Sequence, residues 1–248
     1  MSKYSFTALL ISIFLFFIFA LPSLAHADPA DVSWPNCNVS FISDGKYGII
    51  GATGGLDFTP NTCLSSETTL FSSYSLYMNS GYPGHNYGRK YQHYPLNCNA
   101  KDEGCLAYNY GYNAGKYAIR YAYSQGGVGY FWWIDVETEN SWTSKPKINR
   151  DAILGMVASI QHYAPLAKWG VYSYPGQWKT ITGGWKLKSP EWVATASGNR
   201  NIAKNTCSSK GFGGGTVLMS QYTLRLDRNY LCVNRSYKQF LLSLVNNN

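Results

Sequence analysis

Eight short apolar runs separated by breakers set the frame for this chain: 31–34, 47–53, 75–79, 128–136, 169–173, 191–196, 216–222 and 229–232. Each reads as a strand by its content of Val, Ile, Tyr, Trp and Phe and its flanking Gly, Pro, Asn or Ser. Between the second and fifth run the spacing changes to a helical one. Leu106, Tyr110, Ala114, Ala118 and Tyr121 recur at three- and four-residue intervals, as do Ile148, Ile153, Met156, Val157 and Ile160. Strands alternating with helices predict parallel pairing through helical crossovers, and eight of them suit a closed α/β barrel of the TIM-like kind. After Gln177 the helical signal thins, and the last three runs are joined mostly by Gly, Ser and Asn. The segment 237–245 is expected to close the structure as a short helix.

The fourth run carries the chemistry. Val128-Gly129-Tyr130-Phe131-Trp132-Trp133 leads directly into Ile134-Asp135-Val136-Glu137. Side chains at i and i+2 of a strand share one face, so Asp135 and Glu137 would stand roughly 6 to 7 Å apart along it. Crowded carboxylates titrate apart, one held protonated as a donor and the other ionised, which is the division of labour that glycosidic bond cleavage uses. A spacing of this size falls between the retaining and inverting geometries and selects neither. In barrels of parallel strands such groups sit at the C-terminal strand ends, where this pair lies. Taken alone, a D-x-E triplet is common and reads first as an N-cap or an arginine-pairing acid at a strand end, so the catalytic reading rests on what surrounds it.

The ends and the composition bound the setting. Lys3, the apolar stretch from Phe6 to Ala20, Pro22 and Ala25-His26-Ala27 form the n-region, h-region and A-x-A site of a secretory signal, expected to be cleaved after Ala27. A retained membrane anchor is the other reading, and no later segment is long and apolar enough to span a bilayer. All six cysteines follow that site, so an exported chain would carry three disulfides. Fifteen pairings exist; proximity favours Cys37–Cys63, Cys98–Cys105 and Cys207–Cys232. No C-x2-C spacing supports a structural metal, and no cofactor motif is present. The formal charge of +8, with 14% charged and 16% aromatic residues, suits an uncharged or acidic polymer such as a wall glycan, although colloidal solubility explains such a charge equally well. Lysines and arginines are scattered without a recognition motif, which argues against nucleic acid. The chain lacks G-x-S-x-G, H-E-x-x-H and an odd cysteine, which argues against a protease.

Five segments taken in order, Asp31-Val32-Ser33-Trp34, Ile134-Asp135-Val136-Glu137, Gly170-Val171-Tyr172-Ser173, Glu191-Trp192-Val193-Ala194, and Ser220-Gln221-Tyr222-Thr223 with Asp227-Arg228-Asn229-Tyr230, resemble glycoside hydrolase family 25, the lysozyme-type N-acetylmuramidases, in a divergent secreted branch. The resemblance covers nearly all of residues 28–248 and implies one barrel domain of five β/α units followed by three strands, with residues 1–27 as the signal. It implies cleavage of the β-1,4 bond after N-acetylmuramic acid in peptidoglycan or a related N-acetylated glycan, by a monomer that is secreted and associates with cell wall. Glu137 matches the general acid. Asp135 matches the partner carboxylate that orients the N-acetyl group or stabilises the oxocarbenium-like centre. Asp31 and Asp227 match the remaining acidic positions of the pocket, and Tyr172, Tyr222, Gln221 and Trp192 match positions that contact the sugar.

The chain also departs from the family pattern. Asn36-Cys37 follows Trp34-Pro35, Ala194-Thr195-Ala196 ends the tryptophan motif without an aromatic residue, and Glu139 adds a third acid. A cysteine-bearing insertion spans Gly81 to Cys105. Its Tyr82, His85, Tyr87, Tyr91, His93 and Tyr94 read either as a sugar platform or as loop packing held by Cys98 and Cys105. A glycan-binding module on the same barrel is the competing function, since fold does not fix function; retention of four acids favours catalysis.

Overall fold

The computed structural model describes residues 28–37 and 47–232. The expected signal, 1–27, and the expected closing helix, 237–245, lie outside them. Among the described residues the chain runs β1 (Ala30–Val32), β2 (Tyr47–Gly51), α1 (Leu64–Glu67), β3 (Ser73–Asn79), α2 (His85–Gly88), α3 (Glu103–Ser124), β4 (Phe131–Asp135), α4 (Pro146–Tyr163), β5 (Lys168–Ser173), α5 (Pro175–Thr182), β6 (Glu191–Ala194), α6 (Arg200–Thr206), β7 (Val217–Thr223) and β8 (Asp227–Leu231). The eight strands close into a barrel in sequence order. β1 to β7 pair in parallel, and β8 runs antiparallel to both β7 and β1. Reversal of the last strand brings its first residue, Asp227, to the end of the barrel where the parallel strands finish.

Strand alternation divides the apolar residues into two cores. Ile49, Phe131, Trp133, Tyr172, Trp192 and Met219 point inward and fill the barrel, with Tyr77 packed against them. Leu76, Met78, Trp132, Ile134 and Val171 point outward onto Ala118, Ile119, Ile153, Met156 and Ile160 of α3 and α4. The interior is a stack of rings: Trp133 and Trp192 have centroids 5.9 Å apart, Tyr172 and Trp192 4.3 Å, and Tyr77 and Trp192 6.1 Å. This is a packed floor under the C-terminal strand ends.

Helices form where the sequence supplies starts and one apolar face. Asp102 caps α3 by accepting from the Cys105 N–H at 3.0 Å. Pro146 and Pro175 occupy the first positions of α4 and α5, where a missing N–H costs nothing. α3 and α4 touch through glycines. A Cβ on Gly111 would lie 1.9 Å from the carbonyl oxygen of Ala152, and one on Gly155 would lie 2.0 Å from that of Tyr108, so the absent side chains set the helix separation.

The boundaries differ from the sequence expectation in small ways. The strand expected over 128–136 begins at Phe131 and its ladder ends at Asp135, with the Val136 N–H still bonded to the Tyr172 carbonyl at 2.9 Å. The link between β6 and β7, expected to be irregular, contains α6. That helix buries only Ala203 and starts from an Asn199 cap, so it leaves no apolar periodicity to read. The three disulfides pair as proximity suggested, Cys37–Cys63, Cys98–Cys105 and Cys207–Cys232. In the insertion, packing prevails. Tyr82 is fully buried against Tyr110, Tyr91 stacks on Phe58 at 5.2 Å, His85 bonds the Ala100 carbonyl and His93 bonds Asn97. Of the six residues, Tyr87, His93 and Tyr94 are exposed, and Tyr94 is tied to Tyr163 by a 2.9 Å hydroxyl contact.

Candidate active site

Four carboxylates converge at the C-terminal strand ends, each placed by a different local feature. Asp31 points inward from the middle of β1. Its Oδ2 accepts from Asn229 Nδ2 at 2.8 Å and from Gln221 Nε2 at 3.1 Å. Burial of this carboxyl pushes it up to about 7, and the nearby Asp227 and Glu137 add to the rise against the two amide donors. Asp135 is the last residue of β4 and is almost fully enclosed. Its Oδ2 accepts from Asn79 Nδ2, while its Oδ1 has no partner. Burial raises it well above the usual carboxylate range, and Glu137, Glu139 and Asp31 raise it further.

Glu137 follows at the start of a turn closed by the Asn140 N–H on its carbonyl at 3.2 Å. It is half-buried and raised to about 7, first by burial and then by Glu139, against a Tyr172 hydrogen bond that lowers it, with Asp227 adding a smaller rise. Asp227 opens β8 beside Thr223, and its Oδ1 is enclosed without a partner. Glu139 sits exposed at the rim, where Gln177 donates to it at 3.2 Å. The acids thus form one electrostatic unit over an apolar floor. Asp31, Asp135 and Glu137, crowded in a low dielectric, retain protons that solvated carboxyls would lose, and their titrations are coupled.

Of the residues expected to contact sugar, the structure brings three into this cluster and leaves one out. The Tyr172 hydroxyl donates to Gln221 Oε1 at 2.6 Å, and Gln221 continues to Asp31. Trp192 lies underneath, 2% exposed, with its indole N–H donated to Asn229 Oδ1 at 2.7 Å; it forms floor rather than an open sugar face. Tyr222 points to the other face of β7 and donates to Asp28 at 2.9 Å, where Arg200 also binds. It belongs to the outer wall, because it stands one residue out of phase with Gln221.

Three participants were not read from the sequence as site groups. Asn79, at the end of β3, holds Asp135 and is itself oriented by Thr53, whose hydroxyl donates to Asn79 Oδ1 at 2.7 Å and accepts from the Asn79 N–H at 2.9 Å. Tyr77, two residues earlier on the same face, hydrogen-bonds Ser33, and its hydroxyl is raised by burial and then by Asp31. Asn229 lies in the Asp227-Arg228-Asn229 motif, yet its side chain is what ties Trp192 to Asp31. The inward alternation Ser75, Tyr77, Asn79 was the available signal.

A cavity of about 830 Å³ lies at the opposite end of the barrel, lined by Phe131, Lys168, Trp169, Leu187, Pro190 and Leu218 among others. No carboxylate lines it, so size alone does not mark the reactive end. Among the described residues no cluster of His, Cys, Asp and Glu has a metal-binding arrangement, and no helix is long and apolar enough to cross a membrane.

The comparisons with known proteins fit this picture. No curated protein matches the chain. The muramidase from Trichobolus zukalii is similar in structure, with a TM-score of 0.52 at 13% identity over 87% of this chain and 98% of that one; at that identity the likeness is one of fold. Residues 106–214 match the family model described as lysozyme-like protein 1, a span that includes Asp135, Glu137, Tyr172 and Trp192.

Proposed function

We propose that the protein is a secreted lysozyme-like glycoside hydrolase of the family 25 type, cleaving the β-1,4 bond after N-acetylmuramic acid in peptidoglycan or a related N-acetylated glycan. The observation that carries this reading is the pair Asp135 and Glu137 at the barrel mouth above an aromatic floor, Asp135 raised by burial and then by Glu137, and Glu137 raised by burial and then by Glu139. Glu137, raised to about 7 and open to the rim, keeps a proton in mildly acidic to neutral solution and serves as general acid to the leaving oxygen. Asp135, set deeper and held by Asn79, orients the N-acetyl group or stabilises the oxocarbenium-like centre as it ionises. Asp31 and Asp227 complete the acidic wall. The match over 106–214 and the muramidase likeness support a lysozyme-like reading, and three disulfides suit an oxidising, extracellular setting. Residues 1–27 act as the export signal, and 28–248 form one monomeric barrel domain working at or near cell wall.

Digestion of purified peptidoglycan, followed by mass spectrometry of the borohydride-reduced products, tests the reading. Reduced N-acetylmuramic acid ends are expected. Reduced N-acetylglucosamine ends would assign the other bond, and binding without any new ends would make the protein a glycan-binding module.

A further inference from the structure

On the outer wall, between α3 and the loop that follows β2, lies a hollow of about 450 Å³ that none of the four mouth acids lines. Phe58 and Tyr91 reach it from loops, and Lys116, Tyr117, Arg120 and Tyr121 from α3. The rings are continuous: Phe58 stacks on Tyr91 with centroids 5.2 Å apart and meets Tyr117 at 5.9 Å, and Tyr117 lies parallel to Tyr121 at 6.3 Å. Phe58 is held there in a strained backbone conformation. Its φ of 56° is in the left-handed region that a bulky residue rarely adopts, and the loop is closed around it by the Gly54 N–H on the Thr59 carbonyl at 3.1 Å and by the Thr53–Pro60 bridge.

The polar groups differ in what they still have to give. The Tyr121 hydroxyl is donated to the Asn61 carbonyl at 2.8 Å, and the Asn113 amide nitrogen to the carbonyls of Tyr94 and Asn109, both at 2.8 Å. Lys116 sits over the rings of Tyr94 and Tyr163, 4.8 and 5.8 Å from their centroids, a contact with ring faces that uses none of its N–H donors in a hydrogen bond. Arg120 follows one turn later on the same side of α3. Among the described residues neither cation is ion-paired, and no carboxylate lines the hollow. Asp57, beside Phe58 in sequence, is turned elsewhere: its Oδ2 lies 3.3 Å from where a Cβ on Gly81 would stand.

We propose that this hollow is a second binding site, for a sugar ring that carries a carboxylate, with the C–H face of the pyranose on the tyrosine rings and the acid group held by Lys116 and Arg120. The negative face of a phenol ring attracts the weakly positive C–H bonds of a pyranose, and a volume of this size falls in the range of small-molecule sites. A neutral sugar would leave both cations without a partner, and an aliphatic chain would cover them at a desolvation cost. Such a site holds wall polymer beside the mouth rather than in it and raises the local concentration of bonds to be cut. The choice of N-acetylmuramic acid as the sugar rests on the proposed function; it is N-acetylglucosamine with an added lactyl ether, whose carboxylate is the group the two cations require.

The test is an NMR titration of the full exported protein labelled with carbon-13 in its tyrosine rings, with Tyr91, Tyr117 and Tyr121 assigned by the signals missing in Tyr91→Phe, Tyr117→Phe and Tyr121→Phe. N-acetylmuramic acid should move these signals with a millimolar midpoint, and N-acetylglucosamine should bind about tenfold more weakly, as expected for loss of a charge-assisted contact. Added salt should weaken the acid and leave the neutral sugar unchanged. In Lys116→Met/Arg120→Met the two sugars should become equal. Rings that ignore the acid, that answer both sugars equally in the wild type, or that keep their preference for the acid in the double variant overturn the proposal. If the double variant does not fold, the salt dependence and the comparison of the two sugars in the wild type decide. Neither sugar has a bond for the mouth to cut, so a working hydrolase whose three rings do not respond refutes this inference alone, and a preference for the acid in a protein that cuts no glycan keeps it and refutes the hydrolase reading.

Discussion

Asn79 donates its amide to Asp135 while its own carbonyl is pinned by the Thr53 hydroxyl at 2.7 Å, so the ends of β3 and β4 hold the deepest acid in one orientation. The charged form of Asp135 gains more from an amide donor than the neutral form does, which opposes the burial and neighbouring charges that raise it. Asn79→Leu should therefore push Asp135 further up and impair its ionised role. A loss of about 10- to 100-fold in kcat with little change in thermal midpoint is expected from steady-state assays on soluble wall fragments; unaltered kcat would remove Asn79 from the site.

Glu137→Gln preserves shape and removes the transferable proton. Loss of a positioned general acid typically costs about 10²- to 10⁴-fold, and wall-turbidity assays should show a drop of that size. Asp135→Asn should be severe as well. Glu139→Gln should be milder in rate, yet it removes the charge that contributes most among neighbours to raising Glu137, so the alkaline limb of activity should move to lower pH. An unshifted limb would show that Glu139 is screened by solvent at the rim.

Stability should fall as pH rises through the mouth's titration. Asp31 has a folded value of about 7 against an ordinary 3.8, so the native state binds the proton more tightly than the unfolded chain does. The favourable contribution is complete below about 3.8 and is lost as pH rises through about 7. Thermal melts should show a lower midpoint at pH 8 than at pH 5, and Asp31→Asn should narrow that difference. A difference as wide in the variant as in the wild type would exclude Asp31 as its source.

Gly155→Ala tests the helix contact. An added Cβ meets the Tyr108 carbonyl at 2.0 Å, a backbone atom that moves only if α3 and α4 separate. Overpacking of this kind costs about 1 to 3 kcal/mol, measurable by urea unfolding, against a gain of about 0.5 to 1 kcal/mol for the same change at an unconstrained helical site. A variant as stable as the wild type would show that the two helices part without cost.

Reducing the three disulfides should lower stability unequally. Cys37–Cys63 and Cys207–Cys232 have separations of 26 and 25 residues, the first tying the turn after β1 to the start of α1 and the second the end of α6 to the residue after β8, whereas Cys98–Cys105 closes only 7 residues of the insertion. In the chain-entropy account each long link contributes roughly 2 to 4 kcal/mol and the short one less. Paired Cys→Ser variants followed by urea unfolding would order them; a larger loss at Cys98–Cys105 would show that the insertion stabilises the barrel.

The sequence by itself determined the eight strands, the two long helices, the cysteine partners and the acidic residues, because each leaves a local mark: two-residue or helical apolar spacing, nearness along the chain, or a short motif. What only the tertiary structure decided is which side chains share the interior and which way their hydrogen bonds run. Tyr222 and Gln221 are adjacent in one motif, yet alternation sends Tyr222 outward to Asp28 and Gln221 inward to Asp31. Asn79 and Thr53, 26 residues apart, meet only because β2 and β3 pair in register. The raised carboxyls are likewise products of closure, since burial and neighbouring charge arise only once β8 returns Asp227 to the mouth opposite β4.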